Sequence, residues 1–89
     1  MEKYVSDDCG YLGWVAKNPQ GFIVNCLRNP SPAYLMLHRA TCHTISGTPT
    51  AGRHWTEQYI KVCSLNRSEL EAWAQQMGGQ LHGNRFCNP

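Results

Sequence analysis

A histidine and a cysteine lie four positions apart in the segment His38-Arg39-Ala40-Thr41-Cys42, where a predicted strand gives way to a turn. Side chains at such a turn can converge on one ion, and zinc is held by four Cys or His ligands in a tetrahedron. The spacing therefore predicts a structural zinc site formed by His38, Cys42 and Cys87, with Cys63 or His82 as the fourth ligand. The alternative is that His38 is a hydrogen-bonded sheet residue and Cys42 a small buried hydrophobe, because the chain contains no CxxC pair.

A second group of residues suits an anionic, planar ligand. A guanidinium, an imidazole and an indole follow one another at Arg53, His54 and Trp55, in a loop from Ser46 to Thr56 that is long for so short a chain. Such groups can hold an anion and stack on a planar ring. Two tyrosines, Tyr34 and Tyr59, could stack on bases beside Trp55. The pattern predicts a nucleic-acid-binding surface formed by Arg39, Arg53, His54, Trp55 and Lys61. The alternative is that the aromatic residues belong to the core and the charges to ordinary solvated surface.

Motifs for catalysis do not stand out in the sequence. It has no Gly-rich phosphate loop, no paired carboxylates in a motif and no serine elbow. A Cys–His nucleophile pair needs a third group that orients the base, and none is marked near His38 and Cys42. We therefore expect a binding module and no enzymatic activity.

The segment Leu37-His38-Arg39-Ala40-Thr41-Cys42-His43-Thr44-Ile45 resembles the first half of the metal-binding motif of Ada-type DNA-repair domains. In those domains two ligands with three residues between them precede a loop, a helix and a closing CxxC that is soon followed by proline. The closing element here would be Asn84-Arg85-Phe86-Cys87-Asn88-Pro89, with Asn84 in place of the first cysteine. The resemblance implies zinc and DNA as ligands. The departure at Asn84 implies that His82 or Cys63 substitutes, or that the fold stands without metal.

A further likeness concerns the strand Gly21-Phe22-Ile23-Val24-Asn25 together with the segment around His38. These residues look similar to small uncharacterised bacterial domains, some of them joined to HNH-type nucleases. This similarity implies a bacterial protein that senses modified DNA or assists a nuclease.

The first half of the chain predicts a helix followed by a hairpin. Residues 7–17 form the helix, capped by Ser6 or Asp7 and ended by Asn18-Pro19. Two apolar runs, residues 22–27 and 33–38, flank the turn at residues 29–32 and predict antiparallel strands. Alternation places Tyr34, Met36 and His38 on one face of the second strand and Leu35, Leu37 and Arg39 on the other.

The second half predicts a strand at residues 59–63, a helix and an irregular tail over residues 80–89. Asn66 fits the N-cap, Glu69 completes a capping box, and Leu65 with Leu70 forms a hydrophobic staple. Leu70, Trp73, Ala74 and Met77 form an apolar stripe that we expect to pack on the sheet, and Gly78-Gly79 ends the helix.

These elements define an α+β fold in which an N-terminal and a C-terminal helix pack on one face of a three-stranded antiparallel sheet. The 89 residues allow one domain, residues 1–89, and 42 % apolar and 16 % charged residues suit a folded chain. Neither a membrane span nor a signal peptide is predicted, so we expect a cytoplasmic protein.

Two functions of different kinds follow from these patterns. The first is a non-catalytic nucleic-acid-binding module, which a net charge of +2 permits. The second is a protein-interaction or inhibitor module of phage or accessory type that acts on a larger complex. A basic surface would favour the first, and an apolar patch among mixed charges the second.

Overall fold

A computed structural model describes residues 1–42, residue 56 and residues 59–83, and it contains two helices and five strands within these residues. In chain order they are β1 (Glu2–Tyr4), α1 (Asp8–Lys17), β2 (Phe22–Leu27), β3 (Leu35–Arg39), β4 (Tyr59–Ser64), α2 (Arg67–Gln76) and β5 (His82–Gly83). The α+β class predicted from the sequence is confirmed. So is the antiparallel hairpin of β2 and β3, in which Val24 pairs with Leu37.

The sheet is larger than the sequence predicts, with five strands in the order β1-β4-β2-β3-β5. The three predicted strands form its centre, and β2 pairs antiparallel with both β3 and β4. The prediction of a three-stranded antiparallel sheet is wrong at the two edges. There β1 joins β4 antiparallel, and β5, inside the tail predicted to be irregular, joins β3 in parallel. Both edge strands are short and mostly exposed, so backbone pairing holds them and no apolar pattern marks them in the sequence.

The two helices pack on opposite faces of the sheet, which corrects the prediction that both lie on one face. Side chains of a strand alternate, and both sets are apolar in β2: Val24 and Cys26 point to α2, whereas Ile23 points to α1. We call these the α2 face and the α1 face. A sheet buried on both faces needs a layer on each, so one helix covers each side.

The α2 face holds the larger core. The predicted packing of Leu70, Trp73 and Met77 on the sheet is confirmed, with Phe22 as the β2 contact and Ile23 on the opposite face. The buried members of this core are Val24, Cys26, Leu35, Leu37, Ile60, Val62, Leu70 and Ala74. The smaller core under α1 consists of Tyr11, Ile23, Ala40, Cys42 and Cys63.

The helix ends follow local hydrogen bonding. Asp7, one of the two predicted caps, accepts the Gly10 N–H at 3.0 Å, and α1 ends before Asn18 as predicted. At the end of α2, Gly78 has φ +82°, a left-handed conformation that glycine adopts without strain. The Gly79 N–H bonds the Ala74 carbonyl oxygen at 3.0 Å, which completes a Schellman motif.

The start of α2 differs from the predicted capping box. The Asn66 side chain accepts the Ser68 N–H at 3.1 Å, as an N-cap should. However, the Asn66 N–H already donates to Ser64 Oγ at 3.0 Å, so Glu69 is not needed there. Glu69 instead accepts from Ser64 Oγ at 2.8 Å and lies 3.0 Å from the terminal amine of Met1. The predicted staple is also wrong, because Leu65 is 62 % exposed.

Candidate functional site

Three polar side chains form a continuous hydrogen-bonded path across the α1 face. Lys61 on β4 and Asn25 on β2 are directly paired in the sheet, and Lys61 Nζ donates to Asn25 Oδ1 at 2.8 Å. Asn25 Nδ2 in turn donates to the hydroxyl oxygen of Tyr34 at 3.3 Å. The path therefore leads from a buried ammonium group to a half-buried tyrosine at the start of β3.

Two tyrosines meet where this path ends. The ring centroids of Tyr34 and Tyr59 are 5.7 Å apart, with the ring planes inclined by 52°. Leu27, the sheet partner of Tyr59, is 40 % exposed beside them. We call Tyr34, Tyr59, Leu27 and Asn25 the tyrosine end of the α1 face. The core under α1 lies at the other end of β2, around Ile23, so the tyrosine end is outside it.

Lys61 is a buried cation, with 3 % of its surface exposed. Its Nζ lies 5.8 Å from the centroid of the Tyr11 ring, which is a cation–π distance. Burial lowers the pKa of Lys61 to about 8, although the negative charge of the nearby Asp8 favours the charged form. The ammonium form therefore still prevails at pH 7, and it acts within the fold as a hydrogen-bond donor.

The start of α1 is attached to Thr56, a buried residue near the end of the predicted loop. Thr56 Oγ1 donates to Asp8 Oδ1 at 2.6 Å and accepts from the Asp7 N–H at 2.7 Å. The Thr56 N–H also donates to Asp8 Oδ1, at 2.9 Å. The sequence does not signal this attachment, because it joins residues 48 positions apart.

The residues predicted to bind nucleic acid do not all share one surface. Arg39 is exposed on β3 opposite Phe22 and so belongs to the α2 face, whereas Lys61 is buried on the α1 face. Strand alternation separates the two, so the structure does not bring them together. Arg53, His54 and Trp55 lie outside the described residues. Tyr34 and Tyr59, two of the three predicted stacking residues, do lie together.

Three of the predicted zinc ligands lie on the same side of the sheet, and a fourth lies at its edge. His38, Cys42 and Cys63 are buried on the α1 side, whereas His82 is exposed on β5 beside Met36. Cys87 lies outside the described residues. Within residues 1–42, 56 and 59–83, no group of three or more His, Cys, Asp or Glu side chains could hold a metal ion. The complete predicted set is therefore not tested, and the zinc site stays a prediction.

Burial changes the acid–base character of these groups. It lowers the pKa of His38 to about 4, with a smaller contribution from the positive charge of Lys61, so the imidazole is neutral as a zinc ligand must be. Burial raises the pKa of Cys63 to about 12, so without metal this thiol keeps its proton. Within the described residues, Cys9, Cys26, Cys42 and Cys63 form no disulfide.

Asn25 is the residue of this site that sequence reasoning missed. Its signal is a single amide side chain inside the apolar run Phe22–Leu27, at a position where a strand buried on both faces would carry an apolar residue. Its partner Lys61 is likewise the only charged residue in β4. A polar pair inside two neighbouring apolar strands indicates a buried hydrogen bond between them.

The described helices include none that is long and apolar enough to span a membrane. Comparisons with protein-family models, with curated proteins and with solved structures gave no match to this chain. The candidate site therefore has to be interpreted from its own geometry and chemistry.

Proposed function

We propose that this chain is a non-catalytic module that binds nucleic acid at the tyrosine end of its sheet. The observation that carries the proposal is the half-exposed ring pair of Tyr34 and Tyr59. Aromatic rings on a sheet surface offer a flat face to a base, and each stacked base contributes about 1–3 kcal/mol. Because every base has such a face, the site needs no sequence motif in its ligand.

Charge supports this proposal in a limited way. Arg28 directly follows Leu27 and is exposed, with its Nη1 donating to Ser6 Oγ at 2.8 Å. It places one cation next to the tyrosine end, where a phosphate of a stacked nucleotide would lie. The net charge of +2 is small, so stacking has to supply much of the affinity. The resemblances to Ada-type and nuclease-associated domains favour DNA as the ligand and a role as a sensor or nuclease accessory.

The test is binding of a fluorescent single strand of about 12 nucleotides, within the range that one small domain covers. Tyr34→Ala and Tyr59→Ala should each weaken binding roughly 5- to 100-fold, since each removes a stacking ring. Leu65→Ala, which changes an exposed residue next to α2, serves as the control and should bind like wild type.

A second pair of variants tests the electrostatic part. Arg28→Ala should weaken binding and reduce the salt dependence by roughly one phosphate contact. Arg67→Ala removes an exposed arginine from α2 and should change neither. Wild-type protein that fails to bind any single or double strand at low salt would show that the proposed function is wrong.

A protein-interaction module is the second candidate, and the outer side of α1 favours it. Leu12 is 40 % exposed, and Cys9 and Ala16 are exposed at helical spacings of three and four residues from it. A partner attached through a photo-crosslinker on Cys9 should be lost in Leu12→Lys and kept in Tyr34→Ala. The reverse pattern would assign the contact to the tyrosine end.

A further inference from the structure

The polar path on the α1 face has a fixed direction, which follows from the chemistry of its first member. A lysine ammonium group has three donors and no acceptor. Asn25 must therefore present its Oδ1 to Lys61, as the 2.8 Å contact shows. Its other amide atom, the donor Nδ2, is then the one that faces Tyr34.

This direction determines what the Tyr34 hydroxyl can still do. A phenolic hydroxyl has one hydrogen to donate, besides lone pairs that accept. Because Asn25 Nδ2 donates to the oxygen, the hydrogen of Tyr34 points to a different partner. Within the described part of the chain, no acceptor receives that hydrogen. Tyr34 is half-buried, and its ring lies against that of Tyr59, so this hydrogen is a donor beside the ring pair of the tyrosine end.

We propose that the Tyr34 hydroxyl donates a hydrogen bond to an acceptor of a bound unpaired nucleotide, and that Asn25 and Lys61 are positioning residues that keep it in this role. This inference rests on the proposed function and names its substrate class. The ligand is a single strand or an unpaired loop, because only an unstacked base can lie on the tyrosine rings. The acceptor is a base-edge atom or a phosphate oxygen.

Two conservative variants separate the donor from its positioning residues. Tyr34→Phe keeps the ring and removes the hydroxyl, and we expect binding of a single strand to weaken roughly 3- to 10-fold. Asn25→Asp keeps the shape and the contact to Lys61, but a carboxylate only accepts hydrogen bonds. Tyr34 would then donate inward to Asp, so this variant should weaken binding by a similar factor.

The double variant Tyr34→Phe/Asn25→Asp makes the test specific. If Asn25 acts only through the Tyr34 hydroxyl, the double variant binds no more weakly than Tyr34→Phe alone. Any loss that Asn25→Asp still causes in the Tyr34→Phe background measures repulsion by the new carboxylate. Thermal melting of each variant shows whether it is folded. If Asn25→Asp does not fold, Tyr34→Phe alone still tests the inference.

The outcomes distinguish this inference from the function on which it rests. If wild type binds neither single nor double strands at low salt, the proposed function is wrong, and the inference is wrong with it. If wild type binds a double strand but no single strand, the function stands and the inference is refuted. If wild type binds and Tyr34→Ala weakens binding while Tyr34→Phe does not, the function stands and the donor is refuted. Fully additive losses in the double variant would refute the positioning by Asn25. A strand with uncharged methylphosphonate linkages keeps the stacking bases and identifies the acceptor: a loss in Tyr34→Phe that persists there assigns it to the base, and one that disappears assigns it to phosphate.

Discussion

His38 lies on β3 with 4 % of its surface exposed, paired across the sheet with Ile23. Burial, with a smaller contribution from Lys61, lowers its pKa from 6.5 to about 4, so the folded protein holds a neutral imidazole. The unfolded chain takes up a proton below pH 6.5, whereas the folded chain does so only near pH 4. The free energy of unfolding is therefore unaffected by His38 above pH 6.5, and it falls as the pH drops from 6.5 toward 4, because only the unfolded chain takes up the proton there.

We expect the free energy of unfolding to fall by up to about 3 kcal/mol across this interval because of His38 alone. Urea titrations between pH 7 and pH 4, with chelator present, measure the slope of the free energy of unfolding against pH. His38→Gln should flatten it, and His82→Gln, which changes an exposed histidine on β5, should not. An NMR titration of wild type gives the same answer directly, and a His38 ring signal that titrates near pH 6.5 would contradict the expectation.

Single residues also show how far sequence reasoning reaches. The alternation of β3 correctly assigns Tyr34, Met36 and His38 to one face, because the strand period depends only on backbone geometry. Sequence reasoning also predicts that Lys61 is a surface cation that could contact nucleic acid. This prediction is wrong about the position of Lys61, because burial of a lysine depends on its partners, Asn25 and the Tyr11 ring, which come from other elements.

Among the elements, α2 shows how a capping pattern can be satisfied in an unexpected way. Ser64, at the end of β4, accepts from the Asn66 N–H and donates to Glu69, and it is 6 % exposed. It links β4 to the first turn of α2. Neither predicted contact forms among the described residues. Ser64 takes the place of Glu69 as the acceptor of the Asn66 N–H, and Leu65 is exposed.

We expect Ser64→Ala to lower the free energy of unfolding by about 1–3 kcal/mol, since it leaves the Asn66 N–H without its acceptor. Leu65→Ala, one position along the chain, should change it by less than about 0.5 kcal/mol, as surface substitutions do. Chemical denaturation of both variants gives the comparison. A Leu65→Ala loss as large as that of Ser64→Ala would mean that a hydrophobic staple exists in solution.

The elements differ in how well the sequence predicts them. Strand β2 has the predicted bounds, Phe22–Leu27, because its residues favour strands and turns lie on both sides. Its continuous apolar run also indicates burial on both faces, and this was the available signal for a helix on each side of the sheet. Strands β1 and β5 had no such signal, since they form only when β4 and β3 offer free edges to pair with.

Across the whole molecule, the two faces of the sheet differ in what stabilises them. The α2 face is a continuous apolar core. The α1 face has fewer apolar residues and also buries Lys61 and His38, which burial penalises when charged. A small domain with such a face gains from an additional anchor, and a structural zinc would provide one because its binding energy becomes folding energy.

The zinc prediction is therefore best tested through the stability of the whole chain. A zinc ion held by His38, Cys42 and Cys87, with Cys63 or His82, would attach the tail to the turn that follows β3. Elemental analysis of untagged protein should then find one zinc per chain, and a strong chelator should lower the Tm sharply. Cys42→Ser should lower the Tm without chelator and remove the further effect of chelator. Cys9→Ser, which changes an exposed thiol on α1, should behave like wild type.

The contrary result has an equally definite meaning for the fold. Zinc-free protein with an unchanged Tm in chelator would show that the metal site is absent. Cys42 would then serve as a small apolar residue in the core under α1, where it already packs with Ala40 and Ile23. His38 would remain a neutral buried imidazole, and its acid-dependent destabilisation would persist unchanged in chelator, because it arises from burial and from Lys61.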